Sequence, residues 1–135
     1  MRHVQKAERA TEERAVPRER VSAKARAKWR AARRFQQATQ RAVGMKFVEW
    51  LLLETLAELT EEKAGPVSQV AIAERSGISD KLTSYWMTSL HEIGFVDRGP
   101  DEDGRAYDVR LTANGHELLS SSNERLAQSR VLEQF

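Results

Sequence analysis

The chain has 135 residues, a length that suits one compact domain with an appended segment. It contains no Cys, which excludes disulfides and thiolate metal sites and favours a reducing, cytoplasmic compartment. The longest apolar stretch, residues 47–59, is interrupted by Glu49, Glu54 and Glu58, so we expect no membrane-spanning helix. The N-terminus is polar and basic, which is unlike a secretory signal.

Charge is divided unevenly along the chain, although the net charge is only +2. Residues 1–44 hold 13 Lys and Arg against 4 Glu, a net of +9, which leaves −7 for residues 45–135. We therefore predict a basic N-terminal extension, 1–44, and a folded domain, 45–135. A basic arm is typical of nucleic-acid binding, but a charged helix that only aids solubility has the same composition.

The extension is predicted to be disordered at first and then helical. Residues 1–17 are charged and nearly lack large apolar side chains. Residues 18–43 contain no Pro or Gly and are rich in Ala, Arg, Lys and Gln, which favour a long helix. Its few apolar residues include Trp29 and Phe35, so it needs a packing partner, or folds on binding. Gly44 is expected to separate this helix from the next.

The folded domain begins with a predicted amphipathic helix over residues 45–60, whose apolar positions 48, 51, 52, 55/56 and 59 recur at helical spacing. A polar loop, 61–66, follows, and Val67 is expected to pair as a very short strand. Residues 68–76 and 79–93 are predicted helices, and Thr112 is predicted to cap a last helix that extends to Phe135. Between them, residues 95–98 and 106–111 are predicted strands joined by an acidic turn. In the second strand, Tyr107, Val109 and Leu111 alternate with polar residues and are expected on its buried side.

The segment 71–90, AIAERSGISDKLTSYWMTSL, has the pattern of a helix-turn-helix. Ser68 and Ser79 are suited to cap the two helices, and Gly77 is suited to the left-handed turn between them. Ile78 and Leu82 are expected to fill the angle between the helices.

A helical wheel separates the two faces of the second helix. The residues predicted to face the core are Thr83, Trp86, Leu90 and Ile93. The residues predicted to face outward are Asp80, Lys81, Ser84, Tyr85 and Thr88. Side chains of these outward types can hydrogen-bond base edges or phosphates in a major groove, although an ordinary solvated face has the same character.

Residues 46–119 resemble the winged-helix core of MarR-type transcriptional regulators. The tract LHEIGFVDR resembles the end of the family's recognition helix and the entry to its wing, and DEDGRAYDVRLTANG resembles the wing and its return. This resemblance implies a homodimer that binds a pseudo-palindromic DNA site. It also implies a recognition helix, 79–93, in the major groove and a wing, 95–111, at the minor groove or backbone. In that arrangement Arg105 matches the wing arginine and Arg98 lies at the base of the wing. The resemblance also implies base-facing or phosphate-facing positions for Asp80, Lys81, Leu82, Ser84 and Tyr85.

The predicted fold class is mainly α with a small β-hairpin wing (α+β), a winged helix-turn-helix with a long basic N-terminal helix. The predicted function is sequence-specific double-stranded DNA binding by a transcriptional regulator that is not an enzyme and uses no cofactor or metal. The alternatives are a protein–protein interaction module and a non-specific architectural DNA-binding protein. The predicted DNA-binding residues are Ser79, Asp80, Lys81, Ser84, Tyr85, Thr88, Arg98, Arg105, Arg26, Lys28, Arg30, Arg33 and Arg34. Homodimerisation is expected through the N-terminal and C-terminal helices, and no residue pattern identifies a small-molecule effector.

Overall fold

The computed structural model describes residues 21–100, 104 and 106–134. The predictions for residues 1–17, for the acidic wing tip at 101–103, for Arg105 and for Phe135 fall outside these residues. The chain divides into two compact units, residues 1–33 and 34–135. The boundary at residue 44 therefore stays a prediction, and the two units are described separately.

The basic helix, α1, spans Ala23–Val43. It begins after Ser22, whose Oγ accepts a hydrogen bond from the backbone N–H of Ala25 at 3.1 Å, and ends before Gly44, which has a φ of +75°. In the first unit, residues 21–33 are almost entirely exposed. In the second unit, the last turns of α1 bury Thr39 and Val43.

The second unit contains a mainly helical fold with a small sheet. Its helices are α2 (Phe47–Glu62), α3 (Gln69–Ser76), α4 (Asp80–Glu92) and α5 (Ala113–Ser129), and a short 3-10 helix covers Val131–Gln134. The strands are β1 (Val67–Ser68), β2 (Val96–Pro100) and β3 (Tyr107–Leu111), which form an antiparallel sheet in the order β1-β3-β2. The β2–β3 pair is the predicted wing, so the predicted fold class is confirmed.

The main core lies between α2, the helix-turn-helix and the sheet. Leu52 and Leu56 of α2 are fully buried against Ile72, Met87 and other apolar residues. Leu53, which the predicted apolar face omitted, is also fully buried. A smaller cluster joins Val43 of α1 to Leu126 and Val131. Residues 34–43 of α1 therefore belong to the second unit.

Local capping determines where the helices start. Ser68, Ser79 and Thr112 each accept a hydrogen bond from the backbone N–H three residues later, at 3.1, 3.2 and 3.0 Å. Such caps satisfy N–H groups that have no partner within the helix. Gly77 has a φ of +76°, so the left-handed turn predicted between α3 and α4 is present.

For two residues, the predicted packing of the helix-turn-helix is wrong. Leu82 and Ile93, both expected to be inward, are each 54% exposed. The buried stripe of α4 consists of Thr83, Met87 and Leu90, so its centre lies closer to Met87 than the wheel predicted. Ile93 lies beyond the last helical residue, and Gly94, with a φ of +84°, turns the chain away there.

Further differences concern the strands and the C-terminus. Tyr107 was expected to share the buried side of its strand with Val109 but is 47% exposed. The last helix ends at Ser129 because Arg130 adopts a left-handed conformation with a φ of +56°. Leu132, expected on that helix, lies in the 3-10 turn and is 57% exposed. Helix α2 continues to Glu62, two residues into the predicted loop.

Arg75 links α3 to the end of α2. It donates hydrogen bonds to Glu58 and to both carboxylate oxygens of Glu62, the latter at 2.9 Å. The hydrogen bond from Arg75 lowers the pKa of Glu62, and the two carboxylates raise the pKa of Arg75. All three groups are solvent exposed, and ion pairs at the surface contribute little to stability. These two ion pairs therefore orient α3 more than they stabilise the fold.

No helix in the described part of the chain is long and apolar enough to cross a bilayer.

Gly115 and Gly77 provide a paired test of the packing. A Cβ on Gly115 would overlap the carbonyl oxygen of Phe95, whereas a Cβ on Gly77 meets open space but strains a positive φ. We expect Gly77→Ala to cost about 1–2 kcal/mol, and Gly115→Ala to cost about 3 kcal/mol or more because backbone must move. Urea unfolding measures both. A smaller loss for Gly115→Ala than for Gly77→Ala would contradict this packing of α5 against the chain before β2.

Candidate nucleic-acid interface

The outer face of α4 is the candidate recognition surface. Burial of Thr83, Met87 and Leu90 fixes the opposite side of the helix toward solvent. The predicted residues on that side are exposed, except for Ser84, which is half-buried: Ser79, Asp80, Lys81, Ser84, Tyr85 and Thr88. Leu82 is exposed beside them. The surface is therefore a mixture of hydroxyl, charged and apolar side chains.

Arg98 joins the wing to this helix. Its Nη1 donates to Oγ1 of Thr88 at 2.6 Å, and its Nη2 donates to Oγ of Ser84 at 2.9 Å. The guanidinium carbon lies 3.8 Å from the centroid of the Tyr107 ring on the neighbouring strand, where a cation is attracted to the ring face. We call Arg98, Ser84, Thr88 and Tyr107 the Arg98 cluster. Three separately predicted DNA contacts thus contact one another.

The Arg98 cluster also explains the exposure of Tyr107. The strand register pairs Arg98 with Val109 and Pro100 with Tyr107. Arg98 and Tyr107 therefore lie on adjacent strands, in residue pairs of the ladder that have one other pair between them. The aromatic ring covers the guanidinium instead of entering the core. The sequence contains no local signal for this contact, because the two residues are joined through the wing turn.

An aromatic pair occupies the middle of α4. The rings of Tyr85 and Trp86 meet edge to face with centroids 5.2 Å apart. Lys46 is the residue just before α2, and its Nζ lies 5.1 Å from the centroid of the Trp86 ring. Lys46 was not among the predicted site residues, and it adds a second exposed cation near α4 besides Lys81. Its position depends on tertiary packing, so its place in the sequence could not reveal it.

The remaining predicted cations lie on α1. This helix carries seven Lys and Arg and no Asp or Glu. Four of the predicted contacts lie in the first unit and Arg34 in the second, and all five are exposed: Arg26, Lys28, Arg30, Arg33 and Arg34. The predicted wing contact, Arg105, is outside the described residues.

Among the described residues, no group of three or more His, Asp or Glu side chains comes together in a way that could hold a metal ion.

A double-mutant cycle tests the link between wing and helix. Arg98→Met and Thr88→Val each remove the 2.6 Å hydrogen bond, so their effects on the free energy of unfolding should couple by about 0.5–1.5 kcal/mol. Thr60→Val is the control partner, because Thr60 donates only to its own helix at Leu56. Additive effects of Arg98→Met and Thr88→Val, within about 0.3 kcal/mol, would show that the contact does not hold the wing.

Comparison with known proteins gives similarity at the level of structure. No protein-family model matches the chain, and no curated protein matches it. A MarR mutant from E. coli complexed with operator DNA has a TM-score of 0.69 at 13% identity, over 81% of this chain and 76% of that one. M. tuberculosis transcriptional regulator MosR, in complex with DNA, has a TM-score of 0.68 at 22% identity, over 85% and 84% of the two chains.

A third solved structure is a MarR-family regulator from Rhodococcus sp. RHA1, with a TM-score of 0.65 at 21% identity over 75% of this chain and 71% of that one. MosR and the Rhodococcus protein are transcriptional regulators, and the MarR and MosR structures contain DNA. The chain therefore has the winged-helix fold of MarR-type transcriptional regulators, and the resemblance inferred from its sequence is confirmed for the fold.

Proposed function

We propose that this protein is a sequence-specific double-stranded DNA-binding transcriptional regulator that acts in the cytoplasm. The observation that carries the proposal is the outward face of α4, held rigidly to the wing by the Arg98 cluster. Neighbours of the same fold were solved with DNA bound, one of them with its operator. In the proposed complex, α4 enters the major groove and the β2–β3 wing lies against the adjacent minor groove or backbone.

The predicted residues then have distinct roles. Lys81, exposed in the first turn of α4, reads a base edge or holds a phosphate close to the bases. Arg98 acts mainly by positioning, because two of its nitrogens already donate to Ser84 and Thr88. Arg105 is proposed as a wing contact from the resemblance of its sequence context.

Affinity for a polyanion requires more positive charge than the domain itself provides. Residues 45–135 have a net charge of −7, which opposes approach to DNA at long range. The exposed cations of α1 are the proposed source of phosphate contacts, and each phosphate neutralised contributes about 0.9 to the slope of log K against log salt. We therefore assign selectivity to α4 and much of the salt-dependent affinity to α1.

We propose that the protein acts as a homodimer formed through its N-terminal and C-terminal helices. A dimer related by a two-fold axis would bind an inverted repeat with half-sites about one helical turn apart. Light scattering after size exclusion measures the assembly directly.

The first functional test is a selection of bound duplexes from a random pool. The proposal predicts recovery of an inverted repeat. Equal retention of all duplexes would favour an architectural DNA-binding protein. Failure to retain any duplex would favour a protein–protein interaction module.

Lys81→Ala tests the reading role of α4. We expect a loss of about 1–3 kcal/mol on the selected duplex and a smaller loss on a random duplex, because one base contact has that value. Lys63→Ala removes the same charge from an exposed lysine just after α2 and should change neither affinity appreciably. Equal losses on both duplexes with Lys81→Ala would restrict Lys81 to a phosphate contact.

The salt dependence tests the role of α1. The double variant Arg26→Gln, Arg30→Gln should lower the magnitude of the slope of log K against log salt by about 2, because two phosphates lose their partners. The control, Lys63→Gln with Arg130→Gln, removes the same net charge from exposed positions outside α1. A slope that is identical in both double variants would reject the proposed phosphate contacts.

A further inference from the structure

Two apolar side chains lie exposed on the proposed recognition helix. Leu82 is 54% exposed and Tyr85 is 65% exposed, and they are three residues apart on α4. Residues at that spacing are neighbours on a helix surface. We call this pair the Leu82–Tyr85 patch. It lies on the face that the proposed function places in the major groove.

One member of the patch, Tyr85, packs on its neighbour in the helix. The Tyr85 ring packs edge to face on Trp86, which is itself half-buried and packed against the core. Lys46 lies over the same Trp86 ring. An aromatic side chain that is already ordered loses little conformational entropy when it binds, so it is suited to a specific contact.

The major groove offers one apolar feature at its base edges, the 5-methyl group of thymine. Guanine is most commonly read by an Arg or Lys that reaches two of its acceptors. Helix α4 has no Arg, and Arg98, the Arg bonded to its outer face, is engaged by Ser84 and Thr88. Lys81 is the one cation of α4 that could read guanine, whereas Leu82 and Tyr85 both expose apolar surface suited to a methyl contact.

We propose that the Leu82–Tyr85 patch determines specificity by packing against thymine methyl groups in each half-site. This inference rests on the proposed function and adds to it a base class and the two residues that recognise it. Lys81, one residue before Leu82, would then supply the adjacent polar contact.

The test replaces thymine with deoxyuridine, one position at a time, in a duplex recovered by selection. This change removes the methyl group and leaves the base-pairing edge intact. For the unaltered full-length protein, at least one thymine per half-site should lose about fourfold in affinity, which is the value of burying one methyl-sized group. Tyr85→Ala and Leu82→Ala should reduce that loss to nearly none, whereas Tyr85→Phe, which keeps the ring, should retain it.

Ile93→Ala is the matched control, because Ile93 has the same 54% exposure at the other end of the helix. It should leave the deoxyuridine effect unchanged. Circular dichroism establishes that each variant is folded.

Each outcome separates the inference from the function on which it rests. Selective duplex binding with no deoxyuridine effect at any position overturns the methyl contact and leaves the proposed function intact. A deoxyuridine effect that persists in both Leu82→Ala and Tyr85→Ala assigns the methyl group to other residues and also overturns the inference. Absence of duplex binding by the unaltered protein overturns both, and would make a protein partner the occupant of the patch.

Discussion

Burial of one face of α4 is the constraint on which the rest of the site depends. Thr83 and Met87 are fully buried, and Leu90 is 1% exposed. Burying a Met or Leu side chain stabilises a fold by about 1.5–3 kcal/mol. Rotating α4 would forfeit much of that stabilisation from Met87 and Leu90 together. The core therefore decides which side chains of this helix face a partner.

The wing is attached to the helices at two places, near its start and along β2. Near its start, the backbone of Phe95 lies so close to Gly115 of α5 that no larger residue fits, and Thr112 donates to the carbonyl oxygen of Gly94 at 2.6 Å. On β2, Arg98 bonds directly to the outer face of α4. Helix and wing thus form one surface that is organised before any ligand binds, which reduces the entropy cost of association.

Features set by local chemistry could be predicted from the sequence. Each of these features joins a residue to a backbone group only three or four positions away in the chain. The caps at Ser68, Ser79 and Thr112 and the turn at Gly77 are all found as predicted. The exposure of Leu82 and Tyr107 could not be predicted in this way, because it depends on what the rest of the fold brings alongside. The contacts of Lys46 with Trp86 and of Arg98 with Thr88 are also tertiary, so local sequence could not predict them.

In the proposed function, the division of charge gives the two parts of the chain different tasks. The acidic domain presents a shaped surface with few cations, so a mismatched duplex gains little from it. The cations of α1 would strengthen binding to any duplex and so cannot select a sequence. Together they would bind DNA with an affinity and a specificity that can be altered independently.

Directed cleavage tests the central claim, that α4 lies in the major groove. Because the chain has no Cys, Asp80→Cys creates a unique attachment point at the start of α4 for an iron chelate that cuts DNA. This placement of α4 predicts cuts confined to two half-sites about one helical turn apart, and none when the chelate is attached at Lys63→Cys. Cuts spread evenly along the duplex, or the same pattern from both positions, would contradict it.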